Sequence, residues 1–274
     1  MRYALVNGEK QGATKGEKGL CLCCGRDVIA KCGKIRCNHW AHKNTEECTY
    51  SQKEPKTRWH LDWQNHFPKE WQEVRCIDEQ TGEIHIADIK TPNGPVIEFQ
   101  HSAIKPEECL SREHYYKNMI WVVDGTRSKC DFKRFLTNFE TLTPLPVFDS
   151  KIPFFLYIIN KQEDILPENW LLEQVPLYFD FRLAKTDDTE SELHKSLRNS
   201  IWGFFRIGKI DFVVSMSHNC FVDYAKRGVI RKIEQYAITT LQKVQMIHML
   251  QQKSQLQNIR QNYRFPYIRR RRRL

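Results

Sequence analysis

The chain has 274 residues, with 43 Lys and Arg against 33 Asp and Glu, a formal charge of +10, and 41% hydrophobic residues. That length is enough for one full domain with additions or for two small ones. Nothing approaches 18 consecutive apolar residues, and the start MRYALVNGEK has no apolar leader core. The expectation is therefore a cytoplasmic protein without a membrane span.

Six of the ten cysteines, Cys21, Cys23, Cys24, Cys32, Cys37 and Cys48, crowd into one segment. Clustering without a leader predicts metal ligation in a reducing compartment rather than a disulfide scaffold. Half of the net charge sits in Arg269, Arg270, Arg271, Arg272 and Arg273. Such a run predicts a tail that contacts nucleic-acid phosphates with salt-dependent affinity and no sequence choice.

In chain order, Tyr3 to Val6 is a short strand, followed by CLCCGRDVIAKCGKIRCNHWAH. Cys21 and Cys24 have the C-x2-C spacing that lets two thiolates bind one zinc, with Gly25 easing the knuckle. His39 and His42 supply the second pair, and Cys37 and Cys48 are alternative ligands. Val28 to Ile35 is too short for a finger helix and reads as a small hairpin turning at Gly33. The segment is a zinc-ribbon-like knuckle, its metal stabilising a stretch too small for its own core.

Pro55, at a first helical position, opens an amphipathic helix through His66 whose buried stripe is Trp59, Trp63 and Phe67. His60 lies one step off that stripe, either at the edge of a cleft or exposed. Trp71 to Ile77 alternates as a strand, with Trp71, Glu73 and Arg75 on one face and Val74 and Cys76 on the other. Ile84 to Lys90 and Val96 to Gln100 then form a hairpin around the turn formers 91–95. Alternation points Glu98 and Gln100 one way and Ile97 and Phe99 the other, and lets Asp88 meet Glu98 across the strands. Neighbouring carboxylates repel and are costly to desolvate unless a cation lies between them, which suits magnesium or manganese.

Pro106 starts a helix to about Asn118, and Met119 to Val123 reads as a strand buried on both faces. The order is helix, three strands, helix, strand. Beyond Lys129 come a helix over Asp131 to Glu140, strands over Pro153 to Ile159 and Pro176 to Phe181, and a polar loop from Thr186 to Glu192. A helix from Leu193 to Ile201 follows, then one or two helices over Val229 to Tyr263.

The knuckle ending His39-Trp40-Ala41-His42, then Trp59-His60, Ile86-Ala87-Asp88-Ile89 and Val96-Ile97-Glu98-Phe99-Gln100-His101-Ser102, resembles the competence protein CoiA-like family over about residues 15 to 130. The resemblance implies an α/β mixed-sheet, restriction-endonuclease-like PD-(D/E)XK nuclease core behind a zinc finger. Asp88 and Glu98 would bind catalytic magnesium or manganese, Gln100 would replace the usual lysine, and His60 would stand at the cleft. Where the family often has a first-helix glutamate, this chain has Lys56 and Arg58 with Glu54 further back, and Glu73 is the stand-in. His85 and His101 flank the acids.

The resulting organisation is a zinc knuckle over 15–50, a nuclease core over 51–130, a C-terminal α/β to helical extension over 131–262 and a basic tail over 263–274. The expected activity is metal-dependent phosphodiester hydrolysis, of DNA rather than RNA. Two alternatives are a catalytically silent, zinc-containing nucleic-acid-binding protein and a scaffold acting through residues 150 to 274.

Overall fold

Two neighbouring strands of alternating character sit near one end of a long sheet, and the sequence on either side supplies the layers that bury them. The computed structural model describes residues 1–43, 48, 56–79, 81–171, 175–182 and 192–262. Pro55, Glu54, residues 186–191 of the polar loop expected from Thr186 to Glu192, and the arginines 269–273 lie outside the described residues.

The N-terminal part is a five-stranded antiparallel sheet of β1 (Tyr3–Val6), β2 (Glu9–Gly12), β3 (Lys18–Leu20), β4 (Asp27–Lys31) and β5 (His39–His42), in the order β2-β1-β3-β4-β5. The hairpin expected within Val28 to Ile35, turning at Gly33, is longer in the structure: β4 pairs with β5, Val28 opposite His42, and residues 32–38, Gly33 and Ile35 among them, form the connection. Ala4, Val28 and Trp40 pack with Cys21, Cys23 and Cys48 against Ile86 of the main sheet.

The rest contains α1 (Arg58–Asn65), β6 (Gln72–Ile77), β7 (Ile84–Lys90), β8 (Val96–Gln100), α2 (Pro106–Tyr116), β9 (Met119–Asp124) and α3 (Lys129–Asn138). It continues through β10 (Thr143–Pro144), β11 (Phe154–Ile159), β12 (Leu177–Asp180), α4 (Glu192–Arg198), β13 (Ser200–Ile207), β14 (Ile210–Ser217), α5 (His218–Lys226) and α6 (Lys232–Asn262). The nine strands form one mixed sheet in the order β10-β11-β14-β13-β12-β9-β8-β7-β6. Strands β6 to β8 are antiparallel neighbours, while β9 is parallel to both β8 and β12. The sheet therefore runs on past residue 130 without a break in pairing.

Helices cover both faces of the sheet, so the core is double. On one side Trp59, Trp63 and Phe67 pack on Ile89, Ile97, Phe99 and Val122, joined by Phe221, Ala225 and Ala237 of α5 and α6. On the other, Cys109 and Phe135 of α2 and α3 cover Trp121, Phe179 and Trp202. Among the described residues no helix is long and apolar enough to cross a membrane.

Three local readings differ from the sequence expectation. The helix expected over Leu193 to Ile201 stops at Arg198, because Ser200 to Ser217 is a β-hairpin turning at Gly208, φ +62°. A separate helix, α5, precedes the long α6. In β6, Glu73 has φ +44°, so the alternation slips there: Glu73 is 1% exposed while Arg75 is on the outside. That backbone is disfavoured for a non-glycine residue by about 1–2 kcal/mol. Strong anchoring of the carboxylate offsets it, since the N–H groups of Arg2 and Tyr3 donate to Glu73 at 3.1 Å each.

Two features lock the C-terminal half to the first half, one at the β7–β8 turn and one at α1. Gly94, in the β7–β8 turn, lies so close to Gly228 that a Cβ there would stand 2.9 Å from the Gly228 Cα. Asp180, at the end of β12, accepts the indole N–H groups of Trp59 at 3.0 Å and Trp63 at 2.9 Å, and pairs with Arg182 at 2.8 Å. A buried acceptor of three donors is costly to remove, because each donor is left in an apolar surrounding. Asp180→Ala should lose about 3–5 kcal/mol of unfolding free energy in urea titration, and Asp180→Asn, which keeps an acceptor oxygen, should lose less.

His218 is 8% exposed and packs against Trp63 and His66 with ring centroids 4.6 and 4.4 Å away. Burial, with Arg182 and His66 nearby, lowers its pKa to about 4. The unfolded chain then binds a proton that the folded one refuses between about pH 6.5 and 4. This share of stability is complete above that range and is lost as pH falls through it. His218→Gln should flatten the slope of unfolding free energy against pH in that interval.

Candidate functional site

The knuckle forms because Gly25, at φ +70°, lets the chain double back: its N–H donates to Cys21 O at 2.9 Å and the Cys21 N–H donates to Arg26 O at 2.8 Å. The turn aims Cys21 and Cys24 at one point, with His42 arriving from the end of β5 and Cys48 from the chain beyond. The four ligand atoms lie within 4.8 Å of one another. Cys21 Sγ and Cys48 Sγ are 4.0 Å apart, and Cys24 Sγ is 3.2 Å from His42 Nε2. Two metal–sulfur bonds of about 2.3 Å at a tetrahedral angle would span roughly 3.8 Å. Three thiols and an imidazole form a donor set that could bind zinc. Burial pushes Cys21 up to about 12, so a cation is needed to hold its thiolate. For Cys24, burial also raises the pKa, but hydrogen bonds led by the Arg26 N–H outweigh it and bring the thiol below its ordinary value.

His39 lies outside this group, and Cys48 stands in its place. The reason is strand parity: His42 and Trp40 are on the buried side of β5, while His39 and Ala41 are on the other. His39 Nδ1 instead meets the Cys37 carbonyl at 2.9 Å. Cys37 is likewise not among the four.

The acids lie beside the knuckle in a cleft of about 720 Å³ lined by Lys56, His60, Asp88, Glu98, Gln100 and Arg112, with Cys24 and Cys48 at one side. Asp88 and Glu98 face each other across β7 and β8. The Asp88 N–H donates to Glu98 Oε1 at 3.2 Å, and the Phe99 N–H donates to Asp88 Oδ2 at 3.0 Å. Both carboxylates are buried, at 7% and 1% exposure.

Their charge is met by two cations. Lys56 Nζ is 2.5 Å from Asp88 Oδ1 and 3.3 Å from Glu73 Oε1, and Arg112 Nη1 donates to Glu98 Oε2 at 3.1 Å. Burial alone would lower the Lys56 pKa, but Asp88 and Glu73 overcome it, and the ammonium stays charged. For Glu73 burial is the largest single influence and acts upward, but Lys56, the N-terminal ammonium and the Tyr3 and Arg2 N–H groups together outweigh it and hold the carboxyl below its ordinary value. Arg112 also pairs with Glu108, one turn back on α2.

His60 is inside the cleft, its Nε2 2.8 Å from Lys56 Nζ and 3.1 Å from Asp88 Oδ1. Burial is the largest influence on its pKa and lowers it, so the ring is neutral near pH 7. Gln100 lines the same cleft, with its amide N–H groups directed to Ser102 O and Oγ at 2.9 and 3.3 Å. Glu73 sits behind Lys56 rather than on the cleft wall. His85 pairs with Glu83 at 2.6 Å, and His101 with Asp124 at 2.7 Å. The expected arginine tail lies outside the described residues.

Sequence reasoning did not find Lys56 or Arg112 as members of this site. Arg112 was within reach of pattern: Cys109, Arg112 and Glu113 mark the buried stripe of α2 at helical spacing. Lys56 precedes its helix, and no local period predicts where its ammonium goes.

Residues 7–51 match the model of the competence protein CoiA N-terminal domain. The match supports the CoiA-like resemblance and contains the whole Cys21–Cys24–His42–Cys48 cluster. No curated protein matches the chain, and no solved structure does.

If the four residues form a single site, the purified chain should carry about one zinc, measured by elemental analysis. Cys21→Ser and Cys48→Ser should lose it, whereas His39→Ala should keep it.

Proposed function

We propose that this chain, with a CoiA-like domain ahead of an acidic cleft, is a metal-dependent nuclease that hydrolyses phosphodiester bonds, in DNA by the family resemblance. The observation that carries the reading is the Asp88–Glu98 pair, held edge to edge in one cleft with a lysine and an arginine around it. The order α1-β6-β7-β8-α2-β9, with β9 parallel to β8, suits a restriction-endonuclease-like PD-(D/E)XK core.

Asp88 and Glu98 offer the hard oxygen donors that magnesium or manganese prefers, and the Lys56 ammonium on Asp88 Oδ1 marks a place with affinity for positive charge. A bound divalent ion there would supply a polarised phosphate and a more acidic water. The chain's own groups do the remainder. Lys56 and Arg112 bring the positive charge toward a phosphate that a neutral Gln100 does not. His60 presents a neutral imidazole to accept the proton of an attacking water.

A second reading, a silent nucleic-acid-binding protein, is favoured by the same Lys56, which already neutralises Asp88, and by the commitment of the Gln100 amide to Ser102. Cleavage of a labelled oligonucleotide separates the two. The nuclease should act with magnesium or manganese and stop on chelation. Asp88→Asn, Glu98→Gln and Lys56→Met should each lose about 100-fold or more in rate. Binding by the wild type without any cleavage would establish the second reading instead.

A further inference from the structure

A second groove, of about 670 Å³, runs between the β4–β5 connection and the start of α1, and shares Met1, Lys56 and Thr57 with the acidic cleft. Its charge is one-sided. Arg2, Lys34, Arg36, His39, Lys56 and Arg58 line it, and no acidic residue is among the described residues that do. From Val28 to Lys43 the sequence contains no Asp or Glu at all. The N-terminal end of α1, where Thr57 Oγ1 accepts the His60 N–H at 3.3 Å, adds the positive end of a helix.

The residues fall into two kinds. Arg2 is built into the wall, with its guanidinium on Leu61 O at 3.5 Å and on the Gln64 and Asn65 side chains. Lys34, Arg36 and Arg58 are exposed. Ile35, between two of them, is 98% exposed, an apolar side chain at the tip of a basic loop. A flat basic face would suit any polyanion. A row of cations along a groove that opens into a cleft suits a chain of phosphates, with an apolar tip able to rest against sugar or base.

We infer that this groove is the track along which a nucleic-acid strand reaches the Asp88–Glu98 cleft, its phosphates held by Lys34, Arg36 and Arg58. The Cys/His cluster then has a second role. His42 and the Cys21–Cys24 knuckle fix the β4–β5 hairpin, and the hairpin carries Lys34 and Arg36 to the groove. The proposal rests on the nuclease reading for the identity of the partner, but not for the groove's affinity.

The test uses the full chain, zinc-loaded, in the Asp88→Asn background so that nothing is cut. Fluorescence anisotropy measures binding of a labelled 20-mer, single-stranded and duplex, across a salt series. The triple variant K34E/R36E/R58E should bind at least about tenfold more weakly, and the slope of log affinity against log salt should fall by about two to three. A control with the same charge change on exposed lysines elsewhere, K133E/K151E/K209E, should bind nearly as the parent does. Zinc content and far-UV circular dichroism verify that both variants fold.

Equal losses in the two triples, or none in the first, would overturn the groove. Failure of the nuclease reading looks different: the groove triple loses binding while the chain with native Asp88 never cleaves. Conversely, metal-dependent cleavage with unchanged binding in the groove triple would retain the nuclease and remove the track.

Discussion

Three carboxylates, Asp88, Glu98 and Glu73, are buried within reach of one another, and this is the constraint that the surrounding structure answers. Buried like charges are not tolerated without compensation. Lys56 bridges Asp88 and Glu73 from one side, Arg112 holds Glu98 from the other, and the backbone amides of Arg2, Tyr3, Asp88 and Phe99 fill further lone pairs. The consequences spread outward. Glu73 keeps a left-handed backbone inside a strand, and the N-terminus is tied to β6. The small sheet is thereby seated on the large one, which brings the Cys/His cluster to the edge of the cleft.

The C-terminal half contributes through α1. That helix carries His60 and follows directly on Lys56, so its position decides whether both groups meet Asp88. Asp180, far away in sequence, fixes it by accepting both indole N–H groups, and Phe221 and Ala225 pack in the same core. Strands β10 to β14 are thus part of the platform beneath the cleft, since they extend the same sheet and hold the helix that lies over it.

How much of this was legible in sequence followed from the range of each interaction. The hairpin around Asp88 and Glu98 was readable because alternation and turn residues are local, and the register Ile89 to Ile97 puts the two acids opposite. His39 misled because the two histidines were paired without assigning His-Trp-Ala-His to a strand, which puts them on opposite faces. The hairpin at 200–217 had a signal too, aromatic and β-branched runs either side of Gly208-Lys209. Lys56 had none, since a flexible side chain ahead of a helix is placed by groups over 15 and 30 residues away. Asp180 lay hidden likewise, within an apolar strand whose polar residue finds its partners more than 100 positions back.

The balance of charge also bears on what can approach the cleft. The three buried carboxylates against one ammonium and one guanidinium leave a formal charge of −1 when His60 is neutral, before the half-exposed Glu108 on Arg112 is counted. An anionic phosphate is repelled by that interior, whereas a divalent cation would turn it to +1 and invert the sign. On the proposed reading, substrate affinity at the cleft itself is therefore conditional on metal, while the basic groove beside it attracts phosphates at all times. Such an arrangement separates holding a strand from acting on it, and it needs no moving part. Lys56 belongs to both surfaces, and its ammonium is the group through which the charge of one is felt in the other.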